Sequence, residues 1–201
     1  MFYYLEGTVA IIGQNLAVID IGGAGYACMT TLNTLSRLET GKRARLYTYC
    51  HIKEDAFDLY GFFDLGEKRC FELLLAVSGV GPKAALSILS SATPESLAIA
   101  IISDDETALT IAPGIGKKIA QRIILELKDK VSKDTAALKA AGYVPAGDTS
   151  GQAGAKQRDA AAALAVLGYS QSEISAAMRS IDVSGMSVED IIREVLKTSV
   201  K

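Results

Sequence analysis

The residues best suited to chemistry in this chain sit in two short segments. Gly79-Val80-Gly81 is followed by Lys83, and Gly114-Ile115-Gly116 is followed by Lys117, Lys118 and Arg122. Glycines on either side of one apolar residue let a backbone turn sharply and bring its N–H groups to the surface. A helix that begins at the second glycine adds unpaired first-turn N–H groups and the positive end of its dipole. With cationic side chains alongside, such a turn can hold a phosphate without touching any base. The second turn is purely cationic from Thr107 to Leu125, carrying Lys117, Lys118 and Arg122 and no carboxylate. The first offers Lys83 alone within its turn.

The likeness between the two segments extends past the glycines. Leu74-Leu-Ala-Val-Ser-Gly-Val-Gly-Pro-Lys-Ala-Ala-Leu-Ser-Ile-Leu89 returns 35 residues later as Leu109-Thr-Ile-Ala-Pro-Gly-Ile-Gly-Lys-Lys-Ile-Ala-Gln-Arg-Ile-Ile124. The match covers the turn and both flanking helices, and it resembles the helix-hairpin-helix motif, a sequence-independent binder of the DNA backbone. One Gly-x-Gly also occurs in ordinary helix turns. Two in register, each with lysine directly after the second glycine or one residue on, form a far more specific signal.

Other reactive groups offer less. His51 is the single histidine, which excludes a histidine-rich metal site. Cys28, Cys50 and Cys70 contain no CxxC pair, so zinc spacing is absent. An odd cysteine count suits a reducing compartment, and the three read as small buried hydrophobes. Glu54-Asp55, taken alone, is a plain polar turn. The nucleotide-binding pattern Gly-x-x-x-x-Gly-Lys-Ser/Thr is missing, because Gly79-Val-Gly-Pro-Lys83 and Gly114-Ile-Gly-Lys117 are too short. ATP hydrolysis is therefore expected of a partner, and no catalytic residue, cofactor or metal is assigned to this chain.

The elements that must position these turns follow from hydrophobic periodicity. Tyr3 to Ile12, Leu16 to Ile21, Tyr26 to Thr31, Arg45 to Lys53 and Phe57 to Phe62 are β-branched or aromatic runs. Gly22-Gly23-Ala24-Gly25 marks a turn between two of them, and Glu54-Asp55 joins the last pair. Five short strands in residues 1–63 predict a small closed or nearly closed OB-fold barrel. From Asp64 the pattern becomes helical. Thr93-Pro94 reads as an N-cap, and Ser103-Asp-Asp-Glu106 as a capping box. Residues 64–139 thus form a helical domain with tandem helix-hairpin-helix motifs. Residues 140–155 are rich in glycine and small polar residues and read as a flexible linker. Beyond it, a helix over about Gln157–Leu167 stops at Gly168, a second is capped by Ser170 with Glu173, and Ser187 caps a third. Residues 156–201 are expected to be a small three-helix, UBA-like domain. The fold class is a multidomain α+β protein.

Bulk properties narrow the function. The chain has 201 residues and a net charge of −2, unlike the clearly positive charge usual in nucleic-acid binders. No one of the three folded segments is basic overall, so a DNA site must be local and lean on backbone donors. No apolar run reaches the roughly 18 residues that a spanning helix needs, and the start lacks a signal peptide's basic n-region. A cytoplasmic location without membrane contact is expected.

The order barrel, tandem hairpins, linker and small helical tail resembles the RuvA family, the Holliday-junction-binding subunits of the bacterial RuvAB branch-migration complex. The residues that carry the resemblance are His51-Ile-Lys-Glu-Asp-Ala-Phe-Asp-Leu-Tyr-Gly-Phe62, the two hairpins, and Ala163-Leu-Ala-Val-Leu-Gly-Tyr169. It implies a homotetramer, alone or paired into an octamer, that binds four-way junction DNA during recombination and repair. It implies recruitment of the hexameric ATPase RuvB, with the resolvase RuvC meeting the protein through the shared junction. The phosphate contacts would come from Gly79, Val80, Gly81, Lys83, Gly114, Ile115, Gly116, Lys117, Lys118 and Arg122. Glu54 and Asp55 match the family's acidic pin at the tetramer centre, and Leu164, Leu167 and Tyr169 fall in the domain that meets the motor. Most of those three would be core in so small a domain.

Two rivals remain. A helix-hairpin-helix DNA glycosylase would use Asp129 or Asp134 as its catalytic aspartate, but the duplicated hairpin, the preceding barrel and the missing base-flipping domain oppose it. A generic single-strand binder would stack bases on Tyr47, Tyr49 and Phe57, residues hard to tell from core by sequence.

Overall fold

The computed structural model describes residues 1–140, 152–183 and 185–198. Its first part is built from β1 (Tyr4–Ile12), β2 (Leu16–Ile21), β3 (Ala24–Met29), the short helix α1 (Leu32–Leu35), β4 (Arg43–Ile52) and β5 (Phe57–Phe62). The strands close into a barrel in the order β1-β2-β3-β5-β4, as expected for an OB fold. All neighbouring pairs are antiparallel except β3 with β5. The register of β1 against β2 shifts between Val9 and Ile11, and an irregularity of this kind adds the bend and twist that closure needs. The turn predicted over Gly22–Gly25 is only Gly22-Gly23, because Ile21 already pairs with Ala24, and Gly23 N–H donates to Asp20 Oδ1 at 2.8 Å. The helix α1 has no strong periodic signature and was not expected. Thr31 caps it by accepting from Thr34 N–H.

The helices that follow are α2 (Leu65–Leu75), α3 (Pro82–Ser91), α4 (Pro94–Ile102), α5 (Glu106–Thr110) and α6 (Lys117–Ala140). Thr93 caps α4, with Pro94 in the first turn, as the sequence suggested, and Asp64, where the helical pattern begins, proves to be the cap of α2. The predicted capping box at Ser103–Glu106 does not form. Ser103 instead closes α4 and donates its hydroxyl to Ile99 O at 2.7 Å, so Asp105 caps α5 through Thr107 and Ala108 N–H. Asp104 takes up the intervening reversal at φ 58°.

The last helices are α7 (Gln152–Val166), α8 (Gln171–Ser180) and α9 (Val188–Thr198). The first begins at Gln152 rather than near Gln157, and it ends before Gly168 as expected. Ser170 and Glu173 form the predicted capping box, and Ser187 caps α9 through Asp190 N–H. Most of the predicted linker, residues 141–151, lies outside the described residues.

Two cores hold these elements. The barrel interior buries Leu5, Val9, Ile19, Cys28 and Leu46. A larger core begins on the outer face of β5, with Tyr60 and Phe62 against Phe71, and runs without a break through α2–α6 into α7, α8 and α9. Barrel and helices are further joined at Glu67, which is 3% exposed and accepts hydrogen bonds from the Thr31 and Thr34 hydroxyls. The aromatic side chains meet the same end. Tyr49 packs on Phe71 with ring centres 5.5 Å apart and stacks with His51 at 6.4 Å.

Candidate nucleic-acid interface

The two Gly-x-Gly turns have the same local construction. The first links α2 to α3 and the second links α5 to α6. Val80 N–H donates to Val77 O at 3.1 Å, and Ile115 N–H donates to Ala112 O at 3.0 Å. These bonds tuck Val80 and Ile115 beneath the chain, where they are 6% and 5% exposed. The reversal requires the left-handed backbone region at the first glycine, and Gly79 and Gly114 take φ 88° and 83°.

The second glycine of each turn serves a different purpose. Gly81 has φ −91°, a conformation open to any residue, and a Cβ there would meet nothing within 4 Å. A Cβ on Gly116 would also meet nothing. Folding does not demand glycine at these two points, so their bareness faces outward. They open α3 and α6. The α3 N-terminus has no side-chain cap and places Pro82 in its first turn, so the N–H groups of Lys83 and Ala84 have no partner within the helix. A tetrahedral oxyanion can approach such a surface closely, helped by the dipole of the following helix.

Around the turns, Lys83, Lys117, Lys118 and Arg122 are all exposed. Their surroundings are less purely cationic than the local sequence implied, because the carboxylates just outside that window fold back toward it. Lys117 Nζ lies 3.8 Å from Glu106 Oε2, and Arg122 Nε lies 3.8 Å from Glu126 Oε1. Exposed pairs of this length are weak, of order 0.2–1 kcal/mol, so a phosphate can compete for Lys117. Arg122 is more constrained, since its Nη1 also donates to Ser78 O at 3.2 Å in the other turn. Sequence reasoning missed Ser78, Ser87 and Glu126, whose partners are set by how the two hairpins pack.

Elsewhere the expected residues separate. Glu54 and Asp55 are exposed in the loop between β4 and β5, closed by Lys53 N–H donating to Ala56 O at 2.8 Å. Leu164, Leu167 and Tyr169 are 0%, 1% and 6% exposed. Tyr169 lies under the Arg69 guanidinium, 4.5 Å from ring centre to carbon, and burial pushes its hydroxyl up to about 12. In this arrangement the three residues present no surface to a partner, because α7 and α9 lie on α4 and α2 covers Tyr169. Of the aromatic residues proposed for base stacking, Tyr49 is half-buried against the helical core, whereas Phe57 is exposed and meets Phe2 edge-on at 6.4 Å. The side chains of Asp129 and Asp134 lie outside the described residues. Among the described residues no group of histidine, cysteine and carboxylate side chains is arranged to hold a metal. The cysteines are unpaired, and Cys28 packs in the barrel interior, where burial raises its thiol to about 12. No single helix among the described residues is long and apolar enough to cross a membrane.

Comparison with known proteins covers almost the whole length. The family model for the RuvA N-terminal domain matches residues 1–61, a tandem SAM-like helix-hairpin-helix model matches 71–129, and the model for the RuvA C-terminal domain matches 155–200. The subunit RuvA of the Holliday junction branch migration complex from Acetivibrio thermocellus is 43% identical, over 98% of this chain and 98% of its own. Its namesake from Ruminiclostridium cellulolyticum is 40% identical over 98% and 100% of the two chains. A more distant one from Pseudarthrobacter chlorophenolicus is 37% identical over 100% and 92%.

Proposed function

The chain belongs to the RuvA family, and from that premise we propose that it binds four-way DNA junctions through their phosphates and recruits a RuvB-type hexameric ATPase for branch migration. The observation that carries the DNA-binding part is the pair of equivalent turns whose second glycines are bare toward solvent. Each turn supplies backbone donors and at least one lysine suited to a phosphate and nothing that selects a base. Four copies around a junction would bring eight such turns to its arms, and many weak contacts sum through multivalency to an affinity that the net charge alone would not suggest. The protein is then the non-catalytic subunit, contributing binding, geometry and motor recruitment in recombination and repair, with a RuvC-type resolvase sharing the same junction.

In that assembly Glu54 and Asp55 would project at the centre as an acidic pin. Carboxylates repel phosphates by about 1 kcal/mol per pair at 4 Å in water, and by more where water is excluded. The pair therefore disfavours continuous duplex across the centre and helps hold strands apart during exchange. Motor contact through Leu164, Leu167 and Tyr169 would require the tail to leave α4, since all three are enclosed in the shared core.

The test is binding of the purified chain to a synthetic four-way junction and to linear duplex of equal length, across a salt series without ATP. The junction should be preferred whatever its arm sequence. Glu54→Gln with Asp55→Asn should relax that preference, and Lys117→Ala with Lys118→Ala should flatten the log–log salt slope by roughly 0.9 per lost phosphate contact. Equal wild-type affinity for both DNAs would defeat the junction reading.

A further inference from the structure

The 35-residue repeat makes Ser78 equivalent to Pro113, and Ser87 equivalent to Arg122. In the structure these four residues are joined crosswise. Ser87 Oγ, on the second helix of the first hairpin, donates to Pro113 O at 2.8 Å. Arg122 Nη1, on the second helix of the second hairpin, donates to Ser78 O at 3.2 Å. Each side chain thus reaches from the same helical position to the carbonyl that directly precedes the left-handed glycine of the other turn. A short hydroxyl and a long guanidinium do the same work, so the shared feature is the geometry. Glu126 completes the second link, with Oε2 accepting from Ser78 N–H at 3.2 Å.

We propose that Ser87, Arg122 and Glu126 are positioning residues that brace the two turns against each other, so that they engage the DNA backbone as one two-point clamp of fixed spacing. The proposal deepens the phosphate-binding reading and rests on it. Two sites on a rigid frame lose less freedom on binding than two that move independently, so the second phosphate contact is stronger for the same donors. The core beneath supports the frame, because Val80 and Ile115, Ala85 and Ala120, and Ile88 and Ile123 are all buried at matching positions. The brace also explains a carboxylate beside a phosphate site. Glu126 repels DNA by its charge, yet it is the group that holds the Ser78 amide.

That conflict of sign gives the test. Electrostatics alone predicts that Glu126→Met binds DNA more tightly, whereas loss of a bracing hydrogen bond predicts binding weaker by roughly threefold to tenfold. Glu126→Gln keeps an acceptor for Ser78 N–H and should restore wild-type affinity. Ser87→Ala, which changes no charge, should weaken binding in the same direction. Affinities of the full chain for linear duplex would be measured at one fixed salt, with amide hydrogen exchange at Ser78 followed in the absence of DNA. Faster exchange and weaker binding in Glu126→Met, both reversed in Glu126→Gln, is the expected result. Unchanged or tighter binding by Glu126→Met overturns the brace. If Lys117→Ala with Lys118→Ala leaves duplex affinity untouched, it is the phosphate reading that has failed, and Ser78 exchange still reports separately on whether the brace exists.

Discussion

Glu67 shows how much a single buried carboxylate can be asked to do at a seam. Burial raises its pKa above the ordinary carboxylate value, against the opposing hydrogen bonds from Thr31 and Thr34. Those hydroxyls are themselves acceptors, Thr31 from Thr34 N–H and Thr34 from Phe63 N–H at 2.9 Å, so Glu67 anchors a small network that joins α1, the end of β5 and α2. A raised folded-state pKa means that the folded protein holds the proton more tightly than the unfolded chain. The resulting stabilisation is fully present below the unfolded carboxylate pKa and is lost as pH rises through the raised one. Urea midpoints of the wild type and of Glu67→Gln, followed upward from about pH 4, should therefore show the wild type losing ground to the variant. A pH-independent difference between the two would mean that Glu67 titrates normally.

At the scale of elements, the second glycine of each turn separates folding from binding. Gly79 and Gly114 are held at positive φ, so a side chain there strains the turn itself. Gly81 and Gly116 have open space where a Cβ would go. Gly81→Ala with Gly116→Ala should shift the thermal midpoint by no more than about 2–4 °C, at about 0.5 kcal/mol for each of the two surface positions. The same variant should bind both junction and duplex at least tenfold more weakly, because a methyl group stands where a phosphate oxygen must approach. Unaltered DNA affinity in this variant would remove the turns from the interface. Both glycine pairs were legible as turns from their spacing. The division of labour within each pair was not, because it depends on φ and on what surrounds the missing Cβ.

On the scale of the whole molecule, the tail is packed rather than hanging from its tether. Helix α4, Pro-Glu-Ser-Leu-Ala-Ile-Ala-Ile-Ile, is apolar on nearly every side, and a helix of that kind needs cover on opposite faces. Leu97, Ala98 and Ile101 are buried, and Ile99 and Ile102 pack against the same core that α7 and α9 enter. Ending the chain after residue 140 should therefore lower the thermal midpoint, by about 2–4 °C for each kcal/mol of packing lost. It should also raise binding of a hydrophobic dye as α4 is uncovered. A midpoint equal to that of the full chain would show that the tail folds and sits independently.

What the linear sequence determined here is whatever depends on local periodicity and on repeated spacing. Alternating β-branched runs specified a five-stranded barrel, the 35-residue repeat specified two like hairpins, and Thr93, Ser170 and Ser187 marked helix starts, since a cap acts on backbone two or three residues away. Family membership was legible for the same reason, as it rests on the order of those units. What only the tertiary structure decided involves partners far apart in the chain. The cap shift from Ser103 to Asp105 followed from how α4 ends, and the Glu67 network joins residues 31, 34 and 67. Arg122 read as a phosphate ligand by its charge, and the fold gave it a second partner in Ser78. Leu164, Leu167 and Tyr169 read mostly as core of a small domain, and the fold decided what encloses them, with Arg69 of α2 lying over Tyr169. A side chain's type states which interactions it can make; only the packing of distant segments settles which of them it does make.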